Sequence, residues 1–171
     1  MDRRSRKSVD SIMNAMADLL EKKPLKEILM KELADNADIN RSTLYTYYKN
    51  PQEVFEDLAK RSIDSFEDIF RDQKYTMTEF IEIYLGYMKK NYPVFLEIHR
   101  SSVTNGYVER ISGIMNRCLR SRKLESGTVL ARYCNYGFFG IAAEWLMDGC
   151  KTSADDIIKE LKPIMGVFEM E

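Results

Sequence analysis

Residues 30–48 read Met-Lys-Glu-Leu-Ala-Asp-Asn-Ala-Asp-Ile-Asn-Arg-Ser-Thr-Leu-Tyr-Thr-Tyr-Tyr. Two short apolar patterns flank the polar stretch Ala37-Asp38-Ile39-Asn40. The first predicts a helix over about Met30 to Asn36, with Leu33, Ala34 and Ala37 turned inward. Asp and Asn tolerate left-handed backbone and cap helices well. Asp38 therefore suits the turn, and Asn40 is a natural N-cap for a second helix, Arg41 to about Tyr47. Helices this short do not hold themselves in water. They need a third, and the stripe Val9, Ile12, Met13, Met16, Leu19, Leu20 supplies it at helical spacing. The result is a helix-turn-helix layout.

In that layout the second helix enters the DNA major groove N-terminus first. Leu44 is its inward anchor, while Arg41, Ser42, Thr43, Thr46 and Tyr47 face outward. Arg can grip a guanine edge with two bonds, Ser and Thr can meet phosphate or base, and a Tyr hydroxyl reaches phosphate. An alternative is an all-α protein-interaction adaptor in which the same pair of helices only packs. The discriminating feature is the basic start, Arg3, Arg4, Arg6 and Lys7. An adaptor has no need of that arm together with a polar face at Arg41 to Tyr47.

Working outward, Lys22-Lys23-Pro24 closes the first helix. Asn50-Pro51-Gln52-Glu53 opens a long fourth one, with Pro at the first helical position and Glu three after the cap. Its stripe Val54, Phe55, Leu58, Ile63, Phe66, Ile69, Phe70 runs to about Asp72. Further helices are read at about Thr78 to Tyr92, from Pro93 through His99, Thr104 to Arg122, Thr128 to Met147, and from Ser153 to about Phe168. That makes about nine helices and no convincing strand: an all-α fold. Composition agrees. The chain of 171 residues has only 8 Gly and 4 Pro, few for an all-β protein, and its 44% hydrophobic and 31% charged residues suit a soluble globular domain.

Several functions are disfavoured. The longest uncharged run, Tyr133 to Ala143, is 11 residues, against about 20 for a membrane span, and no secretory signal follows the charged start. The three cysteines, Cys118, Cys134 and Cys150, read as thiols in a reducing, cytoplasmic setting. With one His and no ligand spacing, neither metal nor cofactor is expected. No Gly-rich phosphate loop or Ser–His–acid set suggests an enzyme. The net charge of −1 excludes a globally basic binder, but residues 1–50 carry 10 basic against 8 acidic side chains and the remainder 16 against 19. A weakly basic head on an acidic body hints at a local polyanion contact, or at a merely solvated terminus.

The segment Ile28-Leu29-Met30-Lys31-Glu32-Leu33-Ala34, then Ala37 through Tyr45, then Tyr47-Tyr48-Lys49-Asn50, resembles the DNA-binding head of TetR-type transcriptional regulators over about residues 8–60. The resemblance implies a helix-turn-helix domain over 1–50, with its motif at about 28–48, and a helical regulatory and dimerisation domain over 51–171. It implies that Arg41, Ser42, Thr43, Thr46 and Tyr47 lie at the groove, that Tyr45 contacts phosphate, that Lys49 sits at the DNA backbone and that Lys31 flanks the second helix. Four departures stand out. Leu29 replaces the usual Ser or Thr cap, Asp38 replaces the turn Gly, Tyr47-Tyr48 replaces His-Phe, and Pro51 replaces the usual second Lys. Gly137-Phe138-Phe139-Gly140-Ile141 with Glu144-Trp145-Leu146 is similar to a regulatory-domain subgroup that includes regulators tied to dihydroxyacetone kinase.

The resemblance further implies a homodimer on a palindromic double-stranded DNA operator, repression more than activation, and a small-molecule effector. Gly137 and Gly140 on an apolar helix need a packing reason, a neighbour in the same subunit or the symmetry mate. With Ile141, Trp145, Ile157 and Leu161 they are the expected dimer interface. Tyr84, Met88, Phe95, His99, Tyr107, Tyr133 and Tyr136 suit a pocket with a few polar points for a largely apolar effector. A regulator without such an effector is the alternative.

Overall fold

The computed structural model describes residues 3–101, 104–120 and 128–167. The side chains of residues 3, 4, 104, 105, 119, 120, 130 and 165–167 lie outside this description. All the regular structure among the described residues is helical: α1 Arg3–Leu20, α2 Met30–Asn36, α3 Arg41–Tyr47, α4 Pro51–Ile69, α5 Met77–Lys90, α6 Tyr92–Arg100, α7 Thr104–Arg120, α8 Val129–Met147 and α9 Ala154–Val167. The chain divides into two compact units, Met1–Asp64 and Ser65–Glu171. The division expected at 50/51 counted all of α4 with the body; the compact units part inside α4.

In the first unit the stripe of α1 is buried as its spacing requires, with Ile12 and Met16 fully so. Pro24 is followed by a 3-10 turn, Leu25–Glu27, which the sequence reading passed over; it buries Leu25. α2 packs on α1 and on α3. Leu33, Ala34 and Leu44 are sealed between them, and Val54, Phe55 and Ala59 of α4 are equally buried. Leu29 leaves α2 without a capping side chain at its first position. Glu32 supplies the replacement: its carboxylate accepts the Leu29 N–H at 2.9 Å while Lys23 Nζ holds it at 2.6 Å. Those two bonds, the Lys23 one first, hold Glu32 below the usual carboxylate range.

The turn after α2 is a complete Schellman motif. Asp38 has φ +52, Ile39 N–H donates to Ala34 O at 3.1 Å and Asp38 N–H to Asp35 O at 3.4 Å. An L-residue pays for this conformation where Gly does not. Asp38→Gly is therefore expected to stabilise the chain by about 0.5–1 kcal/mol in urea unfolding; a loss of stability would contradict the strain assigned to this residue. Asn40 occupies the cap position of α3, but its side chain makes no capping bond. Asn50 does cap, accepting the Glu53 N–H at 2.9 Å while Glu53 accepts the Lys49 N–H at 2.8 Å.

In the second unit α9 lies on α5, α6 on α8, and α7 on both α5 and α8. The core is an aromatic chain. Phe80 stacks on Tyr84 at 5.8 Å, Phe66 meets Phe70, Phe80 and Tyr84, and Phe138 meets Phe80 and Tyr84. α4 stops three residues short of the expected Asp72. Phe70 keeps the apolar stripe but sits in a closing turn, its N–H on Glu67 O and its ring 4.7 Å from Tyr75. α5 starts at a capping box in which Glu79 N–H donates to Thr76 Oγ1 and Thr76 N–H to Glu79. Thr128 caps α8. The expected ends of α7 at Arg122 and α9 at Phe168 fall outside the described residues.

Candidate functional site

On α3 the pattern of burial separates one anchor from a polar face. Leu44 is fully buried. Arg41, Ser42, Tyr45 and Thr46 are exposed, and Thr43 and Tyr47 are half-buried. Tyr45 is the most open of the aromatic residues here, at 55%. The Thr46 hydroxyl donates back to Ser42 O at 2.9 Å, which fixes its rotamer and leaves its lone pairs outward. No acid lies in α3. Lys31 on α2 and Lys49 after α3 are exposed. Arg6 and Lys7 are also exposed, on the first turns of α1 rather than on a tail. The side chains of Arg3 and Arg4 lie outside the described residues.

Tyr48 has a structural task that its place in the motif does not disclose. Its hydroxyl donates to Asp57 Oδ2 at 2.5 Å. Asp57 also meets Arg61 Nε at 3.3 Å, and Arg61 reaches Asp10 of α1 at 3.3 Å. Burial, and then Asp57, push the Tyr48 phenol well above its ordinary value. This strut ties the end of α3 to α4 and α1, and so sets how the polar face is held. Its sequence signal was the Asp57/Arg61 pair at one helical turn. Tyr48→Phe is expected to cost about 1–2 kcal/mol in urea unfolding, because a half-buried bond to a carboxylate is lost. An unchanged midpoint would show the strut to be idle.

In the body, six of the seven expected pocket residues come to one cavity. Tyr84, Met88, Phe95, His99, Tyr107 and Tyr136 line about 270 Å³ together with Ile98, Phe139, Gly140 and Leu146. The hydroxyls of Tyr84 and Tyr107 share a bond of 2.5 Å at its wall. Both phenols are pushed well above their ordinary value, by burial first. His99 and Tyr136 are exposed, so they stand at the mouth. Tyr133 does not belong to this set. It is 67% exposed and lines a smaller apolar groove of about 100 Å³ with Met77, Gly137, Ile141, Leu161 and Ile164. The reason is angular: Tyr133 sits three residues before Tyr136, and α8 is apolar on most faces, so the sequence did not separate them.

The expected dimer residues divide as well. Gly137, Gly140 and Ile141 are exposed and Leu161 half-buried. Among the described residues, nothing beyond the adjoining backbone of α8 and the two chain neighbours lies within 4 Å of where a Cβ on Gly137 or Gly140 would stand. A neighbour in the same subunit is thus not what these glycines serve. Trp145 and Ile157 correct the reading: at 5% and 9% exposure they belong to the chain's own core. The Trp145 indole N–H donates inward to Thr152 O at 2.8 Å.

Among the described residues no group of His, Cys, Asp and Glu could hold a metal ion, and no helix is long and apolar enough to cross a membrane. No curated protein sequence matches the chain. Solved structures do. A TetR-family transcriptional regulator from Streptomyces coelicolor superimposes with TM-score 0.74 at 18% identity, over 94% of this chain and 81% of that one. The dihydroxyacetone kinase operon activator DhaS gives TM-score 0.71 at 16% identity, over 94% of each chain. NalD of Pseudomonas aeruginosa, secondary repressor of the MexAB-OprM multidrug efflux pump, gives 0.67 at 15% identity, over 98% of each. The family model described as the C-terminal region of transcriptional regulators, of TetR type, matches residues 75–166. More than half the chain falls within that match, and the protein belongs to the TetR family of transcriptional regulators.

Proposed function

We propose that the chain is a cytoplasmic, homodimeric repressor, not an enzyme, whose two α3 helices read a palindromic DNA operator. The observation that carries this reading is the division of α3 into one sealed anchor, Leu44, and an open face of Arg41, Ser42, Tyr45 and Thr46. A helix that served only packing would not spend its exposed side on hydrogen-bonding groups alone. Thr43 and Tyr47 border that face, Tyr45 meets phosphate, and Lys31 and Lys49 flank it. Arg3, Arg4, Arg6 and Lys7 add a charge that is blind to sequence. The boundary that matters for function is then 1–50 for the head, with 51–171 serving regulation and dimerisation.

A largely apolar small molecule occupies the cavity beside Tyr84 and Tyr107 and lowers operator affinity. It can do so only by unequal affinity for two arrangements of the heads, a coupling of about 1–3 kcal/mol. The test is selection of bound duplexes from a random pool by the full chain. A palindromic consensus supports the reading, and recovery of no consensus overturns it. A reporter driven by that consensus then reads the sign. Its output falls on expression of a repressor and rises with an activator, which is what DhaS is named.

A further inference from the structure

A third cavity is larger than the two described above and shares no residue with them. It encloses about 380 Å³ between the segment that follows α4 and the later turns of α7. Its floor is Phe70, Tyr75, Ile114 and Cys118, and its rim carries Arg71, Lys74 and Arg117. No carboxylate lines it. Arg71 is engaged by Asp68. Lys74 and Arg117 are exposed and have no ion pair among the described residues. The reach of the Arg117 charge is visible on the floor. Burial pushes the Cys118 thiol up to about 11; Arg117 acts against that push, and the Glu79 carboxylate, which does not line the cavity, adds to it.

Two cations with no ion pair among the described residues, set over a concave apolar floor, suit one kind of occupant. A purely apolar molecule would leave the cations to water, and a small inorganic anion would leave the floor wet. An anion with an apolar body satisfies both, because charge-assisted bonds take the head while the rings and Ile114 take the body. We propose that this cavity binds a small amphipathic anion, its single carboxylate or phosphate head between Lys74 and Arg117 and its short apolar body against Phe70, Tyr75 and Ile114. The site is separate from the cavity at Tyr84 and does not depend on the DNA-binding reading.

The test follows the Ile δ1-methyl signals of the full chain by NMR during titration with octanoate, octyl phosphate, octanol and inorganic phosphate. Octanoate and octyl phosphate are expected to shift the Ile114 methyl saturably, and to leave Ile98, in the other cavity, in place. If only one of the two binds, the head is assigned to that chemistry. Octanol and inorganic phosphate are each expected to bind at least about tenfold more weakly. In the double variant Lys74→Ala, Arg117→Ala, affinity for octanoate is expected to fall at least about tenfold, with that for octanol unchanged. Both side chains are exposed, so the fold tolerates the change, and an unmoved Ile98 signal verifies it. The proposal is overturned by the absence of a shift at Ile114, by a shift at Ile98 alone, by equal affinity for octanol, or by equal affinity in the double variant.

Discussion

Gly140→Glu is expected to give a folded monomer. Glycine inside a helix costs about 1 kcal/mol relative to Ala, and α8 carries two, at 137 and 140. Within the subunit there is room for a side chain at both. Glutamate is a better helix former than glycine, so the isolated chain loses nothing by the change. The exposed side of α8 and α9 also carries Tyr133, Ile141, Met147 and Ile164, apolar side chains that a partner surface would take out of water. In the proposed dimer this surface meets its symmetry copy, and the glycines let the two α8 helices approach closely. A glutamate there buries two unpaired charges across the axis. At about 3–5 kcal/mol for each uncompensated buried charge, the two together cost about 6–10 kcal/mol, and the dissociation constant rises by at least about four orders of magnitude. Light scattering reads the mass and circular dichroism the melting point. A wild-type chain that is monomeric at micromolar concentration refutes the dimer, and so does a variant that stays dimeric. An unfolded variant would refute the open space found at Gly140.

The second large effect concerns DNA. Replacing Arg3, Arg4, Arg6 and Lys7 by Gln is expected to weaken binding to every duplex alike. If each contacts one phosphate, the slope of log affinity against log salt falls by up to about 3.6 per subunit. Arg41→Ala is expected to act differently. It should cost about 1–3 kcal/mol on the selected operator, relax the choice of one base pair per half-site and barely alter binding to random DNA. The contrast separates reading from holding. Gel-shift titrations at several salt concentrations measure both. Equal losses on all sequences for Arg41→Ala would remove it from the base-reading set, and no loss for either variant would end the DNA-binding proposal.

The parts of the fold that were legible in the sequence are those fixed by neighbours in the chain. α2 and α3 run Met30–Asn36 and Arg41–Tyr47, as their spacing predicts, because Asp38 can take the left-handed turn and nothing distant is needed to stop either helix. The same local logic erred where a local signal had a distant alternative. Phe70 extends the stripe of α4, yet its ring turns to Tyr75 and ends the helix early. Asn40 looks like a cap and makes no capping bond, whereas Glu32 caps α2 while held by Lys23 from before it. In the candidate sites the limit was α8. Apolar on most sides, it gives no periodicity from which to tell core from surface. Trp145 was therefore placed outward although it is buried, and Tyr133 was placed in a cavity it does not line; Ile157, on α9, is likewise buried. Arg117 carries no signal in the sequence, because the cavity it borders is built by Phe70 and Tyr75, more than forty positions away.

The paired hydroxyls of Tyr84 and Tyr107 also set an alkaline limit on the molecule. Both rings are buried, and their phenols hold their protons above the ordinary value. An unfolded chain surrenders such protons near pH 10. Below that pH the two states bind them equally and the pair's stabilisation is fully present. Above it the unfolded chain binds fewer, and each withheld proton lowers the stability of the fold by about 1.4 kcal/mol per pH unit. Against a total of about 5–15 kcal/mol for a typical domain, that is a steep gradient. Phenolate absorbance from these two rings then appears together with loss of helix rather than ahead of it. The body thus contains its own optical reporter of cooperative unfolding in base.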